Sequence, residues 1–371
     1  MSARPGPAAS KAQDECVAGD DAYADRLLRW HAASGRHDLP WQHPRTPYRV
    51  WLSEIMLQQT QVRTAAPYFE RFVAALPSVA ALASAPLDEV LALWSGLGYY
   101  ARARNLHAAA RRCVALHAGE LPRDLDALIA LPGIGRSTAA AILSQAWGDA
   151  HPILDGNVKR VLARYHGVAG WPGLPAVERQ LWAFAEVHVH AARLAPAAMA
   201  DYTQAQMDLG ATICTRANPA CVICPLQSRC VARIEGRTAE LPTPRPGKVL
   251  PRREATVLWI EDREGRVLLA RRPPTGVWAS LWSLPQFECD TEALEQWLGA
   301  NLGGGVGAGQ ALPVVPHTFS HYHLDLSPRR WVGVAAPTRV ADNDSLRWVS
   351  REGLASLGIP APIRRLLEST P

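Results

Sequence analysis

The chain has 371 residues, which is enough for two or three domains, and 48% of them are apolar, so hydrophobic cores can form. Its net charge of +5 and its pI of about 8.9 suit a polyanionic partner. No apolar run of about 18 residues occurs, which argues against a membrane-spanning helix. Residues 1–20 lack the apolar core or the Arg-rich amphipathic face of a targeting segment, and we expect a disordered tail on a cytoplasmic protein.

The pattern up to residue 235 is helical, and no β-alternation appears before residue 250. An amphipathic helix is predicted over 21–34, with Gly35 as its stop signal. A second helix is predicted to begin after Thr46, an N-cap residue that precedes Pro47, and to run to about Arg63.

The second predicted helix carries a polar line on a mostly apolar surface. Glu54, Gln58 and Gln61 recur at the spacing of one helical face. This line can simply face water, or it can place a carboxylate among buried side chains. Further on, residues 95–100 hold two glycines and then two tyrosines, a turn that can present an aromatic ring to the core or to stacked bases.

A Leu-Pro-Gly-Ile-Gly turn at 131–135 separates two predicted helices, 124–130 and 137–147. Gly133 and Gly135 have no Cβ, so the backbone can approach another surface, and the next helix begins with unpaired N–H groups. Such a place attracts phosphate. An ordinary corner between two helices has the same signature.

Four of the seven cysteines are clustered, with gaps of six, two and five residues. Clustered thiols suit a reducing compartment and a metal site better than a disulfide framework. They can hold either a [4Fe-4S] cluster or tetrahedral zinc, and the uneven gaps favour the cluster. The four are Cys214, Cys221, Cys224 and Cys230.

The pattern changes after a basic, Pro-rich stretch at 236–253, which predicts a stiff linker. A strand hairpin, further alternating segments and two helices follow, which is typical of a separate α+β domain. The predicted strands are 255–260, 266–270, 317–326, 331–334 and 346–349, and the predicted helices are 290–298 and 362–368.

Four segments in order resemble the MutY adenine DNA glycosylases of the helix-hairpin-helix superfamily. They are the helix 51–61, the hairpin 131–139, the Leu-Asp-Gly-Asn-Val segment 154–158 and the four-cysteine spacing. The resemblance covers 21–235 closely and 250–365 more loosely. It implies a multidomain fold, an all-α helix-hairpin-helix core with a [4Fe-4S] loop followed by an α+β Nudix-like domain.

The resemblance also implies domain bounds and a partner. We expect a monomer, associated with the nucleoid in the cytoplasm, that binds double-stranded DNA containing adenine opposite 8-oxoguanine or guanine. The expected parts are a tail at 1–20, a glycosylase core at 21–235, a linker at 236–253 and a lesion-recognition domain at 254–367. Within the core, we expect a helical barrel at about 45–150 and an iron–sulfur domain formed by 21–44 and 151–235.

Two carboxylates fit the chemistry of this family. Breaking an N-glycosidic bond needs a proton for the leaving base and negative charge beside the sugar cation. Glu54, on an apolar helix, is expected to stay neutral by desolvation and to protonate adenine N7. Asp155 is expected to stay ionised and to face the oxocarbenium ion.

The resemblance assigns further residues to DNA and to the adenine pocket. Bifunctional relatives such as endonuclease III carry a lysine at the end of the hairpin, where this chain has Ser137, so we expect a monofunctional enzyme that leaves an abasic site. The expected DNA contacts are Gln58, Gln59, Tyr99, Gly133, Gly135, Ser137 and Lys159, and the expected adenine-pocket residues are Trp41 and Gln204.

The last domain is expected to recognise the lesion. Phe319, Ser320 and His321 match the family's loop at 8-oxoguanine, although the same residues also fit a plain alternating strand. A Nudix hydrolase needs a Glu-rich magnesium box that this chain lacks, so pyrophosphatase activity is not expected. The alternatives are a glycosylase for another mismatched base and a non-catalytic lesion-binding protein.

Overall fold

The computed structural model describes residues 21–247, 249–288, 291–302, 307–334 and 345–369. The expected tail at 1–20 lies outside these ranges. The chain forms two compact units, residues 1–70 with 112–246, and residues 71–111 with 247–371. None of the helices in the described ranges is long and apolar enough to cross a membrane.

The predicted all-α character of the first part of the chain is confirmed. A π-helical turn at Leu209–Ile213 continues the eleventh helix, and a short 3-10 turn at Cys221–Ile223 lies among the cysteines. The helices are α1 (Asp21–Ser34), α2 (Pro47–Leu57), α3 (Val62–Ala75), α4 (Val79–Ser84), α5 (Leu87–Leu93), α6 (Ala101–Leu116), α7 (Leu125–Ile129), α8 (Arg136–Trp147), α9 (Gly156–Tyr165), α10 (Pro175–Ala192), α11 (Pro196–Asp208) and α12 (Val231–Ile234).

The predicted start of α2 is confirmed, but its predicted end is wrong. Thr46 caps the helix by accepting a hydrogen bond from the N–H of Arg49 at 3.3 Å. The helix stops at Leu57, because the backbone of Gln59 turns to a positive φ of 61°. A new helix begins at Val62. Glu54 and the two glutamines after it therefore do not share one helical face.

The first unit is built around a core that fixes α9. Tyr23 of α1, Leu162 of α9, Leu181 of α10 and Tyr202 of α11 are all buried in one cluster. Burying side chains of this size stabilises a fold by roughly 2 kcal/mol each. The start of α9, where Asp155 lies, is therefore held by large apolar contacts.

The second unit contains a mixed sheet. Its strands run in the order β3-β2-β1-β7-β5, with β4 beside β1, β6 beside β7 and β8 beside β2; β1 and β7 are parallel and the other pairs antiparallel. The elements are β1 (Arg252–Asp262), β2 (Val267–Arg271), β3 (Trp282–Ser283), β4 (Gln286–Phe287), α13 (Thr291–Leu302), β5 (Gln310–Ala311), β6 (Val315–Thr318), β7 (His323–Val334), β8 (Leu346–Val349) and α14 (Ala361–Glu368).

Alternate residues of β1 explain why the sheet is covered on both faces. Val257 shares a core with Ile363 of α14, whereas Leu258 shares a second core with Leu294 of α13. Successive side chains of a strand point to opposite faces, so one strand supplies both cores. The predicted α+β domain is confirmed.

Two strand predictions in this unit are wrong. The alternating stretch 317–326 is split, because the N–H of Phe319 donates to the carbonyl of Tyr322 at 2.9 Å and closes a tight loop between β6 and β7. Residues 331–334 are not a separate strand, since β7 pairs with β1 along nearly its whole length.

Helical residues 71–111 pack within the second unit. Arg271 of β2 donates to the Asp88 carboxylate at 3.0 Å, and the Trp282 indole donates to the same carboxylate at 3.3 Å. The hydroxyl of Tyr100 donates to the carbonyl of Ile359 at 3.2 Å. The turn at 95–100 and the loop after β6 thus belong to the same compact unit.

Candidate functional site

Glu54 is a half-buried carboxylic acid on an apolar helix. Its neighbours Leu52 and Ile55 are fully buried, and its Oε1 accepts a hydrogen bond from Nε2 of Gln145 at 3.1 Å. Burial and, as a smaller effect, the negative charge of Asp155 raise the pKa of Glu54, the bond from Gln145 opposes the rise, and the result is a pKa of about 7. A glutamate of this kind is partly protonated at neutral pH.

Asp155 caps the N-terminus of α9. Its Oδ1 accepts from the N–H of Val158 at 2.8 Å, and its Oδ2 accepts from the amide of Asn157 at 3.3 Å. Burial is the largest effect and holds the pKa of Asp155 above its ordinary value, while these hydrogen bonds and the charge of Arg160 oppose the rise without cancelling it. The helix N-terminus also favours a negative charge here.

The two carboxyl groups act as an electrostatic pair. The charge of Asp155 is one cause of the raised pKa of Glu54, so the two groups lie within interaction range. Asp155 is hydrogen-bonded in its ionised form by two donors, whereas Glu54 has one. When two such groups share a site, one keeps its proton. The arrangement therefore favours one retained proton within the pair of Glu54 and Asp155.

The hairpin between α7 and α8 has the geometry that its sequence predicts. Gly133 has a φ of 80°, which favours glycine. Gly135 is the N-cap of α8 with no side-chain bond, and no described atom lies within 4 Å of the position that its Cβ would take. Unpaired N–H groups therefore begin α8 at an open surface.

Ser137 and Lys159 form internal contacts. The Oγ of Ser137 accepts from the N–H of Leu154 at 2.9 Å, which ties the hairpin to the segment that leads into Asp155. The Nζ of Lys159 forms an ion pair with Glu178 at 2.6 Å. Their expected contacts with DNA remain predictions.

The two expected adenine-pocket residues lie in the first unit. Trp41 is buried and meets Phe69 edge to face, with ring centroids 5.5 Å apart. Gln204 is buried on α11, and its Nε2 donates to Asp208 at 2.7 Å. Its Oε1 accepts no hydrogen bond from the described residues, so an acceptor is left over at this point.

Two of the expected DNA contacts have unusual backbone conformations. Gln59 and Tyr99 have positive φ angles of 61° and 50°, which residues other than glycine adopt only at a cost in conformational energy. Tyr99 is 53% exposed, with the guanidinium of Arg102 5.5 Å from its ring centre. Gln58 is half-buried in the turn after α2. Strain of this kind is concentrated at functional sites.

The loop between β6 and β7 presents polar side chains on an aromatic base. Phe319 packs against Trp278, His317 and Tyr322, with ring centroids 4.4 to 5.3 Å apart. The side chains of Ser320 and His321 are exposed. His321 and Tyr322 also line a recess of about 690 Å³. The loop can therefore offer hydrogen bonds to a partner above it.

The four clustered cysteines line one small pocket together with Arg164 and Arg233. Burial and, as a smaller effect, the other three cysteines raise the pKa of the Cys224 thiol to about 12. Within the described ranges, no three His, Cys, Asp or Glu side chains are close enough to hold a single ion. Four thiols that line one pocket match the donor set of either a [4Fe-4S] cluster or a tetrahedral zinc ion.

Sequence reasoning missed two residues that support these sites. Gln145 on α8 binds Glu54, and nothing in its helical spacing distinguishes it from a surface glutamine. Arg164 is buried on α9 and donates to the Thr215 carbonyl at 2.7 Å and to the Cys214 sulfur at 3.4 Å. An arginine in an otherwise apolar stripe of α9 was a signal for the second.

The chain is similar to several known proteins. The model of the HhH-GPD superfamily base excision DNA repair proteins matches residues 52–186, and that of the NUDIX domain matches 256–369. An adenine DNA glycosylase of Buchnera aphidicola is 36% identical over 94% of this chain and 97% of its own length. The adenine DNA glycosylase of Homo sapiens is 32% identical, over 94% and 74%. A solved thermostable thymine-DNA glycosylase matches 60% of this chain and 99% of its own, with a TM-score of 0.53 and 26% identity.

The raised pKa of Glu54 predicts a pH-dependent stability. At pH values between the ordinary Glu54 pKa of 4.5 and the folded-state pKa of about 7, Glu54 keeps its proton in the folded chain but has lost it in the unfolded chain. The free energy of unfolding therefore falls as the pH rises through this range. The loss is complete above the folded pKa and amounts to at most about 3 kcal/mol. We expect Glu54→Gln to unfold at a higher temperature than the unmodified protein at pH 8, and the difference to shrink towards pH 5.

Thermal unfolding followed by circular dichroism measures this difference. Glu70→Gln is the control, because Glu70 is exposed in the same unit. A difference for Glu54→Gln that does not change with pH would contradict the raised pKa.

Proposed function

This chain belongs to the adenine DNA glycosylase family, and we propose that it hydrolyses the N-glycosidic bond of adenine opposite 8-oxoguanine or guanine in duplex DNA. The observation that supports this most is the carboxyl pair, in which Glu54 has a pKa of about 7 beside the hydrogen-bonded Asp155. Such a pair combines a proton donor and a fixed negative charge, the two groups that the reaction needs.

The chemistry begins with proton transfer. The extruded adenine takes the proton of Glu54 at N7, and the bond between C1′ and N9 breaks with its electron pair moving to the base. The carboxylate of Asp155 stabilises the positive charge left on the deoxyribose. Water then adds to C1′ and gives a proton to the Glu54 carboxylate, which restores the acid, so the products are free adenine and an abasic site.

The absence of a nucleophilic amine at the hairpin supports a monofunctional enzyme. Ser137 stands where a bifunctional relative has lysine, and Lys159 is engaged by Glu178 at 2.6 Å. The DNA strand therefore stays intact after base release.

DNA binding is proposed for the hairpin and for the two strained turns. The open N-terminus of α8 at Gly135 suits a phosphate group. The exposed Gln59 of the first unit suits a contact with DNA where a base leaves the stack. The exposed ring of Tyr99, in the second unit, suits stacking on a base. Trp41 and the leftover acceptor of Gln204 are proposed to line the adenine pocket.

Lesion recognition is proposed for the loop of the second unit. The ring of Phe319 packs against Trp278, which holds it in place, so it can pack beside a base. The exposed Ser320 and His321 can donate or accept hydrogen bonds. The family membership and the matched NUDIX domain support this role.

A [4Fe-4S] cluster is proposed for the four cysteines. The group would be held by Cys214, Cys221, Cys224 and Cys230, and it would supply a structural link across the loop after α11. Arg164 and Arg160 already bind the carbonyls of this loop, with Arg160 donating to Cys214 at 2.7 Å. The cluster would thus tie the loop to α9, the helix that Asp155 caps.

A base-release assay tests the function. Duplexes with A opposite 8-oxoguanine, A opposite G and T opposite G are treated with the protein, with and without alkali. We expect adenine release from the first two and strand breaks only after alkali. Glu54→Gln is expected to slow adenine release at least about 100-fold, because a positioned general acid contributes this much to the rate. The variant is expected to bind the duplex as before.

Each other outcome of the assay has a defined meaning. Release of thymine, the base named for the similar solved structure, would favour the alternative of another mismatch substrate. Strand cleavage as fast as base release would contradict the interpretation of Ser137. Full activity of Glu54→Gln would contradict the proposed acid.

Iron analysis tests the cofactor. We expect about four iron and four sulfide per chain in the purified protein, and a large loss of both in Cys224→Ser. Cys113→Ser is the control, because this free, buried thiol lies outside the clustered segment. One zinc and no iron per chain would contradict the cluster.

A further inference from the structure

Gln145 is a buried polar residue in an apolar part of α8. It is 5% exposed, and the neighbouring Ile142 and Leu143 are buried too. Burying a carboxamide is unfavourable unless it forms hydrogen bonds. Its Nε2 lies 3.1 Å from Oε1 of Glu54, so the acid itself satisfies the buried donor.

We propose that Gln145 is a positioning residue for Glu54, which holds Oε1 as a hydrogen-bond acceptor and leaves the proton on Oε2. This inference rests on the proposed role of Glu54 as the acid. An amide N–H needs a free lone pair, and the unprotonated oxygen of a carboxylic acid is the better acceptor. The bond therefore selects which oxygen carries the transferable proton and fixes the plane of the carboxyl group.

The same contact also adjusts the acidity of Glu54. A donor to the ionised carboxylate stabilises it, which lowers the pKa, whereas burial and the charge of Asp155 raise it. Without Gln145 only the raising effects remain. An acid works best when its pKa lies near the working pH. By opposing the rise, Gln145 keeps the pKa of Glu54 close to neutral pH.

Gln145→Met tests this role, because methionine has a similar length and no donor. We expect the Glu54 pKa to rise by about one unit, which corresponds to the loss of about 1.4 kcal/mol of hydrogen bonding to the ionised carboxylate. The alkaline limb of single-turnover adenine release should move up by the same amount. The rate on the low-pH plateau should fall at least about fivefold, because the carboxyl group is no longer oriented. Duplex affinity should not change.

The pKa is measured independently of activity. A carboxyl-carbon NMR titration of protein labelled with ¹³C at the glutamate side chain gives it directly, and the signal of Glu54 is the one missing from Glu54→Gln. Gln145→Leu is a second apolar replacement, and the shift must appear in both variants. Gln206→Met is the control, because Gln206 is a buried glutamine on α11 that is not bonded to Glu54.

The outcomes separate this inference from the proposed function. An unmoved Glu54 pKa or an unchanged plateau rate in Gln145→Met overturns the positioning role. Full activity of Glu54→Gln overturns the proposed acid instead, whatever the NMR titration shows. A shift of the same size in Gln206→Met also overturns the inference, because the effect would then not depend on the contact.

Discussion

The burial of two neighbouring carboxyl groups, to which the repulsion between their charges adds, is the constraint on which the candidate site depends. Both groups cannot be ionised cheaply in a partly buried place, so one proton must remain. The hydrogen bonds from Val158 and Asn157 stabilise the ionised form of Asp155. We propose that the retained proton is on Glu54, which has the single donor Gln145. The proposed roles of acid and counter-charge follow from this difference in donors.

The surrounding structure serves to keep this asymmetry in place. The segment before Asp155 is tied to the hairpin by the hydrogen bond from the N–H of Leu154 to Ser137, which helps to hold Asp155 at the start of α9. The helix itself is held by the core of the first unit and by Arg164, which binds the loop of the cysteines. The hairpin, the acid pair and the thiol pocket are thus parts of one unit. The loop at Phe319 belongs to the other unit.

Local signals in the sequence were enough to predict most of the helices and strands, but not the contacts between residues that are far apart in the chain. The start of α2 follows from Thr46, because an N-cap acts within one turn. Its end was predicted wrongly, because the positive φ of Gln59 depends on the tertiary structure and helix propensity does not indicate it. The partnership of Gln145 with Glu54 joins residues 91 positions apart, which the sequence alone does not pair. The candidate catalytic residues came from the family resemblance, not from spacing.

The most direct test of the account is the pKa of Glu54 after the neighbouring charge is removed. The account predicts a value of about 7 in the unmodified protein, and a lower value in Asp155→Asn, where the amide can still cap α9 but carries no charge. The NMR titration of the Glu54 carboxyl carbon gives both values. The same pKa in both proteins would contradict the claim that the two carboxylates share one proton.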